Sequence, residues 1–134
     1  MDETAAPQSL DAELVRTFVG NAHGDLAAVA DALADQPALV NSAWDWGGGD
    51  WETGLGAAAH MGRRDIAELL LAHGARLDVF AAAMLGDLEV VRAILAAHPQ
   101  VRNANGPHGI PLRAHAEVGG EQARAVLELL DSSG

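Results

Sequence analysis

Gly24-Asp25-Leu26-Ala27-Ala28-Val29-Ala30-Asp31-Ala32-Leu33-Ala34-Asp35-Gln36-Pro37-Ala38-Leu39-Val40-Asn41 is the stretch that decides the fold, because the chain writes it twice. Gly86-Asp87-Leu88 opens the second copy. Val91, Leu95, Pro99 and Asn103 then stand where Val29, Leu33, Pro37 and Asn41 stand in the first, each 62 residues on. A second theme lies between the copies: Leu55, Gly62, Ala67 and Leu70 are matched by Leu112, Gly119, Arg124 and Leu127, each 57 residues on. Two alternating themes make four units of about 31 residues. That period marks a stacked helical repeat, in which no unit buries its apolar face alone.

Local patterning agrees. Leu14, Val15, Phe18 and Val19 share one helical face, and Gly24 ends that helix. Asp25 is the N-cap of a second helix with Leu26, Val29, Ala30 and Leu33 inward, and Pro37 stops it. The next helices are expected over 54–61, 65–73, 80–85, 88–97, 112–118 and 122–130. Gly74 suits a left-handed C-cap, and Pro111 suits a first helical turn. The expected fold class is all-α: a flexible tail over 1–11, then one domain over 12–131 with units at about 12–43, 44–78, 79–104 and 105–131.

The second unit names a family. Thr53-Gly54-Leu55-Gly56-Ala57-Ala58-Ala59-His60-Met61-Gly62, with Ile66-Ala67-Glu68-Leu69-Leu70-Leu71-Ala72-His73-Gly74-Ala75, resembles the ankyrin repeat. Gly54 takes that pattern's Pro position and Gly56 its His position. The fourth unit keeps Pro111-Leu112, with Arg113 at the His position and His115 at a small-residue position. The resemblance covers residues 14 to about 130 and implies a solenoid of four helix–turn–helix repeats. It also implies that the two residues before Gly62, and their equivalents, face a concave surface: His23, His60, Met61, Met84, Leu85 and Glu117.

Composition sets limits. The net charge is −11, with eight Arg and no Lys. The Arg are scattered, which argues against nucleic acid and anionic membranes as partners. No cysteine is present, so there is no disulfide framework, thiolate metal site or Cys nucleophile, and a cytoplasmic setting is expected. Met1 to Ser9 has neither a basic nor an apolar signal region. The apolar run Ile66–Ala72 is too short to span a bilayer.

The irregularities carry the functional hints. Asn41 to Leu55 is five residues longer than its equivalent, Asn103 to Leu112, so the first interhelical finger is enlarged. Between units two and three, Asp78 runs straight into Val79-Phe80 and the finger is missing. A long finger beside a gap makes an uneven concave face, with room for a pocket. The long finger, Trp44-Asp45-Trp46-Gly47-Gly48-Gly49-Asp50-Trp51-Glu52, holds every Trp of the chain.

Two main readings follow. As a protein-interaction module, the chain offers Trp44, Trp46, Trp51, His60, Met61, Met84, Leu85 and Glu117 to an unidentified protein partner. As a small-molecule binder or acid–base enzyme without cofactor, it offers His60 as general base, Asp50 or Glu52 to orient it, and His115 or His108 as the second proton-transfer group. His23 reads as a solvated surface residue. No metal is expected, since there is no H-E-x-x-H and no His pair at i, i+4, and His60 and His115 meet only through the fold. There is no G-x-S-x-G motif and no P-loop. A third reading is self-association through Val126, Leu127, Leu129 and Leu130, giving a monomer or weak homodimer. The interaction module is the first expectation.

Overall fold

The structure is a computed structural model that describes residues 7–132. It is mostly helical, with eight α-helices and one two-stranded sheet among the described residues. Helices α1 (Ala12–Asn21), α2 (Leu26–Asp35), α3 (Gly54–His60) and α4 (Arg64–Ala72) form the first half. Helices α5 (Val79–Leu85), α6 (Leu88–Ala97), α7 (Leu112–Val118) and α8 (Arg124–Asp131) form the second. Of the expected tail, residues 1–6 lie outside the described residues. Leu10 packs against the core, and the Asp11 carboxylate accepts from Leu14 N at 3.1 Å, so the folded part begins before residue 12.

Caps written into the sequence start the helices. Asp25, Thr53 and Asp78 accept from the backbone N–H three residues on, at 3.0, 3.0 and 2.8 Å. Pro37 and Pro99 each end the preceding helix and open a 3-10 turn, Pro37–Asn41 and Pro99–Asn103. The last helix starts two residues later than its periodicity suggests, because Gly120–Ala123 winds as a 3-10 turn first.

The helices lie in two rows. In the inner row α1 touches α3, α3 touches α5 and α5 touches α7; in the outer row α2 meets α4 and α6 meets α8. Ala57, Ala58 and Ala59 of α3 and Ala81, Ala82 and Ala83 of α5 are fully buried. Their thin side chains let the inner helices approach closely. The core has two clusters that share α5. Ala81 and Met84 belong to the first, with Phe18, Leu33, Leu55 and Leu70; Ala82 and Ala83 belong to the second, with Val91, Leu112 and Val126.

The two fingers differ as their lengths require. The first is a hairpin of β1 (Ala43–Asp45) and β2 (Trp51–Thr53), antiparallel, with Trp44 opposite Glu52. Gly47, Gly48 and Gly49 all have positive φ at its tip, and the Asp45 carboxylate accepts from Gly47 N and Gly49 N. The last finger is a single bridge between Asn105 and Pro111. Between α4 and α5 the chain is a plain connection, and the Asn41 side chain ties it down by donating to Gly74 O and accepting from Arg76 N. Where a finger is missing there is a groove of about 410 Å³, lined by Asp50, Trp51, Thr53, Phe80, Asn105 and Pro107 among others. No helix among the described residues is long and apolar enough to cross a membrane.

Candidate functional site: three histidines around a buried carboxylate

Strand alternation aims Glu52 inward while its neighbour Trp51 points out. Glu52 is 1% exposed, and its carboxylate is the centre of the site. Trp46 Nε1 donates to Glu52 Oε1 at 2.9 Å. His23, just past the end of α1, brings its Nε2 to 3.1 Å from the same oxygen. His60, the last residue of α3, places Nε2 3.0 Å from Oε2, and His108 of the last finger places Nε2 3.2 Å from it. The rings nest together: centroids are 5.1 Å apart for His23 and His60 and 5.2 Å for His60 and His108.

Further contacts orient two of the rings. His23 Nδ1 lies 3.0 Å from the carbonyls of Val19 and Gly20. His108 is held by Asp50 on two sides: its backbone N–H donates to Oδ1 and its Nδ1–H to Oδ2, both at 2.7 Å. His108 is also the one described non-glycine residue with positive φ, +61°. A side chain in that region costs about 1 kcal/mol or more. The Asp50 clamp therefore joins the enlarged finger to the last finger and fixes a strained residue at the junction.

Electrostatics follow from the packing. Burial pushes the Glu52 carboxyl up, but His23, His60 and the Trp46 N–H outweigh it and hold the pKa at about 2. Contact with Glu52 raises the His23 imidazole above its ordinary 6.5, against the burial that lowers it. Asp50 is lowered, first by the His108 backbone N–H. Both carboxylates are thus ionised near neutrality. His23 and His108 keep partly open edges, with side chains 26% and 31% exposed, so the site is reachable from solvent.

Of the residues expected to do chemistry, the fold brings Asp50, Glu52, His60 and His108 together. His115 stands apart. It is fully buried on α7, donates Nδ1–H to Pro111 O at 2.9 Å and packs on Phe80, with no carboxylate partner among the described residues. A ring at a small-residue position fills the space under the last finger instead of joining the site. Sequence reasoning missed His23. Its signal was its place one residue before Gly24, on the same expected concave stripe as His60.

The expected docking stripe breaks up. Met84 is 1% exposed, because α5 is sandwiched between α3 and α7. Trp44 and Leu85 are half-buried against the first cluster. Glu117 pairs with Arg113 on the surface. Trp46 serves Glu52. Trp51 and Met61 stay open, 62% and 51% exposed. The leucines of α8 are half-buried on the second cluster, and Arg102 covers that helix's end by donating to the carbonyls of Leu129 and Leu130. Comparison of the chain with models of protein families, with curated proteins and with solved structures found no match.

Proposed function

We propose that this chain is an ankyrin-like stack of four helix–turn–helix units whose enlarged first finger builds a small-molecule site. Two rows of helices and a repeat of about 31 residues support the scaffold. One observation carries the site: three imidazoles from three separate segments converge on a single buried carboxylate. Stability alone does not ask for this, since burying a charge among polar rings gains less than packing hydrocarbon there. Such a set can polarise a small polar molecule and move protons on it near neutral pH. His108, oriented by Asp50, replaces His115 in this reading, and His23 joins it.

The test uses Trp46, which touches Glu52. A variant with Trp44→Phe and Trp51→Phe leaves it as the sole reporter. Screened against a library of small polar metabolites, this protein is expected to change emission and gain thermal stability with a ligand, and to lose both responses on His60→Ala. A library without a hit argues against the reading.

The interaction module remains the second reading, on the exposure of Trp51 and Met61. A protein partner gripping them loses affinity on Trp51→Ala and is unaffected by His60→Ala.

A further inference from the structure

We propose that His23, His60, His108 and Glu52 bind one divalent transition-metal ion, with Zn²⁺ the natural occupant. The argument starts from tautomers. His23 Nδ1 faces two carbonyl oxygens, which only accept, so Nδ1 carries a hydrogen. His108 Nδ1 faces the Asp50 carboxylate, which also only accepts. In a neutral ring the hydrogen is then spent, and Nε2 presents a lone pair. Both Nε2 lone pairs face Glu52, another acceptor, at 3.1 and 3.2 Å. Lone pairs do not settle against each other at that distance. Positive charge must lie between them, either as a second proton on each ring or as one ion shared by all.

The alignment favours the shared ion. His60 Nε2 and Glu52 Oε2 are 3.0 Å apart and buried, yet neither makes a hydrogen bond of acceptable geometry. Buried polar atoms are rarely left so. They lie close together without a hydrogen bond between them. One donor atom from each of the four residues lies within 4.8 Å of the other three. A tetrahedral zinc ion with bonds of about 2.0–2.1 Å needs ligand edges of about 3.4 Å. Small side-chain movements bring the set to that size.

The surroundings are those of a metal centre. A ligating histidine usually donates its other N–H to a carbonyl or carboxylate, as His23 and His108 do here. Trp46 Nε1 anchors Glu52 at Oε1, the oxygen that His23 also faces, while Oε2 faces His60 and His108. With neutral rings the site carries the two negative charges of Glu52 and Asp50, which a divalent ion balances. Three nitrogens and one oxygen suit zinc, cobalt or nickel better than calcium or magnesium, which prefer oxygen alone. The open edges of His23 and His108 give the ion a way in.

This deepens the small-molecule reading of the same site and rests on it for what the bound ion activates, while ion binding is measured by itself. The experiment adds Co²⁺ to chelator-treated full-length protein and follows the visible spectrum, then repeats with Zn²⁺ by calorimetry. The expected result is one ion per chain and the intense visible bands of four-coordinate cobalt, displaced by zinc. His60→Ala and Glu52→Gln should weaken binding more than about 100-fold, and Asp50→Asn about 10-fold. His73→Gln, an exposed histidine elsewhere, should leave it unchanged. Weak octahedral cobalt, several equivalents, or affinity indifferent to His60→Ala overturns the proposal. The wild-type spectrum decides even if a variant fails to fold. A chain that takes no ion but answers a small molecule through Trp46 overturns the metal and leaves the small-molecule reading. One that takes an ion and recognises no small molecule overturns the small-molecule reading and leaves the metal.

Discussion

His115 is a histidine in the place of a small residue, and its burial has a measurable cost. Desolvation pushes its imidazole below the ordinary 6.5. Above pH 6.5 the ring is neutral in both folded and unfolded chains and adds no pH dependence. Below it the unfolded chain takes the proton first, so native stability falls as pH drops from 6.5 through the folded pKa. The loss runs to about 1.4 kcal/mol per pH unit within that window. Urea unfolding of wild type and His115→Leu at pH 8 and pH 5 measures it. The wild type should lose ground against the variant on acidification, and a constant difference would refute the account. Single residues were unevenly legible in the sequence. Glu52 and Asp50 stand out as carboxylates of the enlarged finger, His60 as the residue before Met61-Gly62, and His108 as the imidazole of the last finger. His23 does not, because a ring at a helix end looks solvated until a hairpin from elsewhere closes over it. Met84 was misjudged for the converse reason: its exposure depends on how closely α5 and α7 approach, which spacing along the chain does not reveal.

At the scale of elements, close approach between turns sets the tolerance to change. Gly86 ends α5 with φ +82°, and a Cβ there would sit 2.0 Å from the carbonyl oxygen of Gln122. Gly74 follows α4 with φ +93°, and nothing lies within 4 Å of its Cβ position. Both substitutions to Ala carry the backbone cost of about 1 kcal/mol. Gly86→Ala must also push the 3-10 turn before α8 aside, at a further cost of about 2 kcal/mol. Urea midpoints of the two variants should therefore separate clearly. Equal losses would mean that the turn moves freely. Helix boundaries were legible here because caps and prolines are local signals. The 3-10 turn at Gly120–Ala123 is harder to read, since Gln122 and Ala123 continue the pattern of the last helix and the tighter winding follows from Gly120, with φ +65°, and from packing against α5, α7 and α8.

At the scale of the whole molecule, charge opposes compaction. A net charge of −11 on 134 residues repels itself over distances that salt shortens, from a Debye length of about 30 Å at 0.01 M to about 10 Å at 0.1 M. The melting temperature should rise by a few degrees, about 2–5 °C, between low salt and about 0.5 M NaCl. A fall would show that surface pairs such as Arg113 with Asp131 outweigh the general repulsion. The mostly helical architecture was readable from periodicity alone. The groove was readable only as a mismatch of finger lengths. That Asp50 spans it to hold His108 was not, because a contact 58 residues apart in the chain leaves no trace in either neighbourhood.

That contact has a consequence for the order in which the molecule is made. A ribosome delivers a chain from its N-terminal side, and residues of α1 to α4 supply most of the first core cluster before His108 has been added. The nascent protein at that stage holds His23, Glu52 and His60 with Asp50 idle, an incomplete set. Only when the last finger has emerged and docked does the set become whole. A chain cut short before residue 108 therefore carries three of the four side chains of the set and leaves Asp50 without the residue it clamps in the whole fold.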